Sequence, residues 1–211
     1  MRYLFTFLQL TFLLSCDASA QSMEQVVADF SQPGSLQVFQ RQSFEGDTVY
    51  KLVALEGEQV LRATTDASAS ALYQKLSVDL QKTPFLNWRW RVDNVYGISD
   101  QQAKAGDDYP ARIYVVVKQG IFPWQSKALN YVWSNTDEAK SHWPNPFAAS
   151  AIMIPLRSAA DGLGRWHLER VNVAEDFYRV FGERITRADA VAIMSDSDNA
   201  GGKATAYYGD I

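Results

Sequence analysis

The sequence predicts an all-β fold, a two-sheet β-sandwich with one short helix over 173–181. Three observations predict it. Most segments between turn signals alternate apolar and polar residues with period two, as half-buried strands do. Helical spacing occurs at Val173, Phe177, Val180 and Phe181, whereas a doubly wound α/β fold would need helices between most strands. A chain of 211 residues with 47% hydrophobic and 13% aromatic content suffices for one large domain.

The elements follow in order. Ser35 to Gln40 is a candidate strand. Thr48 to Leu55 follows the turn signal Glu45-Gly46-Asp47, and Gln59 to Thr65 follows Glu56-Gly57-Glu58. Ala67 to Ser77 is rich in Ala and Ser, and reads equally as a short helix or an irregular edge strand. Phe85 to Val92 is the clearest strand: Leu86, Trp88, Trp90 and Val92 share one face, and Asn87, Arg89 and Arg91 the other. Tyr96 to Pro110 is an acidic loop. Arg112 to Lys118 is nearly continuously apolar, which places it centrally. Ile121 to Trp124 makes a turn before the strand Ala128 to Ser134. Asn135 to Ala149 is a polar, proline-containing loop. Ala151 to Arg157 and Trp166 to Val173 are strands. The helix ends at Gly182, and Ala190 to Ser195 and Lys203 to Ile211 close the sheets.

Met1 to Ala20 has the form of a secretory signal: Arg2, then the apolar run Tyr3 to Leu14, then Ala18-Ser19-Ala20 as a cleavage site. The single domain then spans 21–211. Leu13-Leu14-Ser15-Cys16 also resembles a bacterial lipobox, so the mature chain is either soluble or anchored through Cys16. Both readings place the protein outside the cytoplasm, in the periplasm. Cys16 is the only cysteine, so the domain has no disulfide and stands on its core. A net charge of −4 with no basic stripe argues against nucleic acid as a partner.

Several blocks, in order, carry a family resemblance: Leu86 to Val92, Asp108 to Val115, Ala128 to Ser134, Glu169 to Phe177, Phe181-Gly182-Glu183, and the tail Ile193 to Ile211. They resemble the bacterial exported proteins called Domain of Unknown Function 3047. The family's acidic loop resembles Asp-Thr-Asp-Asn-Thr-Gly, and this chain has Ser197 and Ala200 where threonines are usual. The family carries no established activity, so the resemblance implies little chemistry. The layout also resembles the galactose-binding-type jelly roll of many carbohydrate-binding modules. That fold pairs an N-terminal strand with the last one, here Val27 to Phe30 with Tyr207 to Ile211.

Three constellations are candidates for function. The loop Asp196-x-Asp198-Asn199-x-Gly201 resembles the opening half of a calcium loop, with Asp210 or Asp29 as further oxygen donors. It lacks the bidentate glutamate and the flanking helices of an EF-hand, and a turn folded by side-chain to backbone hydrogen bonds is the favoured reading over metal. The second set is Trp88, Arg89, Trp90, Arg91, Arg112, Tyr114, Tyr131 and Trp133 on the central strands. Sugars stack on such rings and hydrogen-bond to such charges. Trp88 and Trp90 read as core, because Leu86 and Val92 share their face. Asp108, Glu169 and Asp176 are the expected partners of the arginines. The third is catalysis. The two histidines, His142 and His167, belong to no recognisable triad, and zinc and phosphate motifs are missing.

The sequence thus favours a non-enzymatic, exported domain that binds a carbohydrate or another polar envelope component. Arg112, Trp124, Tyr131, Trp143 and Asp176 are the candidate binding residues. Asp196, Asp198, Asn199 and Asp210 are the candidate calcium ligands. The rivals are an envelope protein-interaction domain and a polysaccharide hydrolase or lyase.

Overall fold

The computed structural model describes residues 24–120, 125–137 and 141–211. The leader and lipobox readings, and Trp124, lie outside the described residues. No described helix is long and apolar enough to cross a membrane.

Among the described residues, twelve strands form two sheets. They are β1 (Gln40–Glu45), β2 (Val49–Leu55), β3 (Glu58–Asp66), β4 (Ala69–Asp79), β5 (Phe85–Val92), β6 (Arg112–Lys118), β7 (Ser126–Trp133), β8 (Trp143–Pro144), β9 (Ala151–Arg157), β10 (His167–Asn172), β11 (Arg187–Asp196) and β12 (Lys203–Tyr208). The seven-stranded sheet runs β1-β4-β11-β6-β7-β9-β8, and the five-stranded sheet runs β10-β5-β12-β3-β2. Pairing is antiparallel except between β7 and β9. The helix α1 (Val173–Phe181) follows β10 directly.

The core fills the space between the sheets. Trp88, Trp90 and Val92 project into it from β5, Ile113, Val115 and Val117 from β6, and Leu129, Tyr131 and Trp133 from β7. Trp90 meets Trp88 edge-on at 5.4 Å and Trp133 at 5.7 Å between ring centroids. Burying such a ring contributes about 3 kcal/mol, so this aromatic column anchors the two sheets. Two half-buried charges serve the same wall: Glu169 accepts from Trp90 Nε1 at 3.0 Å and from Arg157 Nε at 2.7 Å.

Local signals act where the sequence predicts. The β2–β3 hairpin closes in two residues, with Leu55 paired to Glu58 and both Glu56 (φ 55°) and Gly57 (φ 89°) in the left-handed region that such a turn requires. Asn172 caps α1 by accepting from the Glu175 N–H, and Gly182 ends it at φ 70°. The segment at Val27 and Ala28 joins the chain end beyond β12 without forming a strand, since Val27 and Ala28 N–H groups donate to Ile211 O, and Ile211 N–H donates to Ala28 O.

Three expectations need correction. Ser35–Val38 is a 3-10 turn, and the first strand is Gln40–Glu45. All six residues of that strand are exposed, so no alternation marks it. Ala69–Asp79 is an eleven-residue strand inside the sheet, between β1 and β11. Its small residues serve close packing at an interior position. The loop after β7 contains the two-residue strand Trp143–Pro144, paired with Met153 and Ile152.

Candidate functional site

The outer face of the seven-stranded sheet carries a groove of about 570 Å³. Its floor follows from the register. Residues that alternate with the core positions line up across four strands, giving the rows Gln42–Ala71–Met194–Arg112 and Gln40–Tyr73–Ala192–Tyr114. In the second row an alanine separates two tyrosines two strand spacings, or about 10 Å, apart. Phe44, 62% exposed, stands on β1, and Phe147, 57% exposed, stands on the loop before β9. Both line the groove. An exposed phenylalanine is held against water at a cost, and two on one groove form an apolar rim around a small-residue floor.

One end of the groove is acidic. Arg112 and Asp196 are 1% and 2% exposed. Arg112 Nε donates to Asp196 Oδ1 at 2.8 Å, and Nη2 donates to Asp196 Oδ2. Nη2 also donates to the Asp107 carbonyl, and Nη1 to Tyr114 Oη at 3.1 Å. Burial works against the charge on Arg112, but Asp196, Tyr114 and Asp107 outweigh it and hold the guanidinium above its ordinary value. Asp108 is wholly buried and gathers the acidic loop. It accepts from the Asn199 N–H at 3.1 Å, Asn199 Nδ2 at 3.2 Å and the Ala200 N–H at 2.6 Å. Burial pushes the Asp107 and Asp198 carboxyls up, and the charge on Asp108 adds to both shifts.

The residues singled out from the sequence fall in separate places. Arg112 sits under the groove, paired within the fold. Tyr131 is a fully buried core residue that donates to Asp176 Oδ2 at 3.0 Å, and Asp176 also pairs with Arg179. Tyr131 and Asp176 therefore bind each other, on the inner side of the sheet. Trp143 is 3% exposed and packs with Tyr109, Val132 and Met153, because the short strand β8 presses it onto β9. It is a packing residue of the outer face. Arg89 and Arg91 lie on the outer face of the other sheet, paired with Glu58 and with Glu56 and Asp93. The expected pairings with Asp108, Glu169 and Asp176 do not form.

The candidate calcium ligands also divide. Asp196 and Asp198 come together with Asp108, with one oxygen from each within 4.8 Å of the others. Asn199 turns its amide N–H toward Asp108. Asp210 lies elsewhere and accepts the Phe30 N–H at 2.7 Å, tying the two ends of the chain together. Asp29 accepts from Ser31.

Sequence reasoning missed Phe44, Tyr73, Phe147 and Asp107. The usable signals were a phenylalanine in the polar run Gln40 to Glu45 and another after Pro146.

No curated protein matches the chain. Among solved structures, it is similar to the family 30 carbohydrate-binding module of the cellulosomal cellulase Cel9D-Cel44B of Clostridium thermocellum, at 10% identity, covering 82% of this chain and 89% of that one, with a TM-score of 0.48. It is similar to a β-1,2-glucanase of Parabacteroides distasonis at 14% identity, covering 88% of this chain and 24% of that one, with a TM-score of 0.43. It is also similar to a family 11 carbohydrate-binding module of Clostridium thermocellum, in complex with a β-1,3-1,4-mixed-linked tetrasaccharide, at 12% identity, covering 87% and 92%, with a TM-score of 0.40. A family model described as a protein of unknown function, DUF3047, matches residues 37–211, and the chain belongs to that family.

Proposed function

We propose that this protein is an exported binding domain that holds a carbohydrate, or a polar envelope component of similar chemistry, in the groove on the outer face of the seven-stranded sheet. The observation that carries the reading is the rim of exposed Phe44 and Phe147 above the Tyr73–Ala192–Tyr114 row. Sugar rings present apolar C–H faces to aromatic rings and hydroxyls to polar groups at their edges. Gln42, exposed beside the floor, supplies such a group.

Two of the carboxylates, Asp196 and Asp108, are already engaged within the fold. Asp196 is locked in a two-pronged pair with Arg112, and Asp108 is engaged by three N–H donors. Neither carboxylate stands free to donate or accept a proton on a substrate. Export follows from the leader Met1 to Ala20, with Cys16 as the point of attachment if the lipobox is used.

The reading is tested by calorimetric titration of the protein with envelope polysaccharides and neutral oligosaccharides. Saturable heat with at least one of them is expected, and its absence across the panel counts against the reading.

A further inference from the structure

Among the described residues, the carboxylates at the acidic end of the groove outnumber the cations that pair with them. Asp107, Asp108 and Asp196 are buried and Asp198 is half-buried. Arg112 is the cation that reaches them: it pairs with Asp196, and its Nη1 lies 3.8 Å from Asp107 Oδ2. Among the described residues, no ion pair involves Asp108 or Asp198. Four carboxylates against one guanidinium leave a deficit of positive charge in a site largely shielded from water, where such a deficit is costly.

A separate observation points the same way. Two carboxylate oxygens are buried with no hydrogen-bond partner, Oδ1 of Asp107 and Oδ1 of Asp198. Asp107 is 4% exposed, and it lines the same end of the groove as Asp196 and Asp198. Its other oxygen is fixed by Asn145 Nδ2 at 2.7 Å, so the free oxygen is held in position. Buried oxygens without partners in native proteins are ordinarily answered by a group the protein chain does not supply.

We propose that a divalent, oxygen-seeking cation of the calcium type binds where Asp108, Asp196 and Asp198 converge, in the groove that Asp107 also lines. The donor set is all carboxylate, with no imidazole or thiolate in the cluster. Such a set selects calcium or magnesium over zinc. Calcium fits better, since it accepts irregular shells of six to eight oxygens, while magnesium demands a near-ideal octahedron. The N–H groups of Asn199, Ala200 and Tyr109 that bond Asp108 and Asp196 act as outer supports that aim these oxygens. Asp196 and Asp198 also line the groove, so water or ligand hydroxyls would complete the shell from that side. Cation binding does not depend on the glycan reading, because it is measured with no sugar present.

The test is thermal melting and calcium titration of the protein after chelation, with elemental analysis to establish that it is metal-free. Asp198→Asn is compared with the wild type. Calcium is expected to raise the wild-type midpoint with a dissociation constant of about 1 mM or tighter, the range of extracellular modules. Magnesium is expected to do less, and sodium at equal ionic strength to do nothing. Asp198→Asn is expected to weaken calcium affinity at least about tenfold. In chelator the same variant is expected to melt at or above the wild type, because it relieves repulsion. An unshifted wild-type midpoint at about 10 mM calcium, well above that range, overturns the proposal. So does an equal calcium response in Asp198→Asn, which would place the ion elsewhere. Glycan titration with and without calcium keeps the two readings apart: glycan binding without a calcium effect on the midpoint removes the cation alone, and a calcium effect with no glycan binding in either state removes the glycan alone.

Discussion

Arg112 on β6 and Asp196 at the end of β11 meet in a buried two-pronged ion pair, although they are 84 residues apart in the chain. The pair joins a central strand to the acidic loop. Arg112→Ala leaves Asp196 buried beside Asp107 and Asp108 with no cation, and is expected to destabilise the fold by about 3–5 kcal/mol. Arg112→Lys keeps the charge but loses the planar fork, and is expected to recover only part of that loss. Urea denaturation of both variants checks the order, and a wild-type midpoint for Arg112→Ala would show that the pair is not structural.

Phe44 and Phe147 are expected to be dispensable for folding. Both are more than half exposed, so Phe44→Ala and Phe147→Ala should each change stability by no more than about 0.5 kcal/mol. Thermal melting settles this before either variant is used in binding assays. A large loss in either would mean that its ring packs rather than waits for a ligand.

Tyr131→Phe removes the hydroxyl that donates to Asp176 and nothing else from the core. Asp176 keeps its pair with Arg179, so a cost of about 0.5–1.5 kcal/mol is expected. Ligand binding should be unchanged, because the tyrosine faces the inner side of the sheet. Impaired ligand binding at unchanged stability would return Tyr131 to the site.

The Asp161 carboxyl gives a pH-dependent contribution. Partial burial pushes its pKa up, but the Ser158 N–H at 2.8 Å and Arg157 outweigh burial and hold it below the ordinary value. A folded pKa below the unfolded one gives stability that is complete above the ordinary carboxylate range and fades as pH falls through the depressed value. Asp161→Asn keeps the acceptor and removes the charge. It should cost a few tenths to about 1 kcal/mol at pH 7, because solvent screens so exposed a pair. Wild type and variant should converge as the pH falls below about 3. Denaturation midpoints measured across that range check the sign, and a difference that grew with acid would contradict it.

The architecture was legible where one face of a strand is buried. Leu86 and Val92 correctly marked Trp88 and Trp90 as core, and the spacing of Val173, Phe177 and Phe181 marked the helix. The first strand was hidden because exposure on both faces leaves no alternation, and β4 because alanine and serine carry little pattern. The site was less legible for a different reason. Its parts come from β1, β4, β6, β11 and two loops, and only the register brings them together. Phe44, Tyr73 and Phe147 are each an isolated aromatic in the sequence. Asp108 and Asp198 are 90 residues apart, and Asn199 and Ala200 reach Asp108 only through folding. The tail showed the acidic loop but not its partner, so Asp210 was grouped with it although it serves the chain termini.

The central claim is that the outer face of the seven-stranded sheet binds a glycan. The most direct measurement is calorimetric affinity for a binding polysaccharide, taken on wild type, on the double variant Phe44→Ala with Phe147→Ala, and on Arg89→Ala from the outer face of the other sheet. The account predicts at least a tenfold loss for the double variant, equivalent to about 1.4 kcal/mol, and wild-type affinity for Arg89→Ala. Unchanged affinity in the double variant, or loss only in Arg89→Ala, would contradict it and move the site to the other sheet.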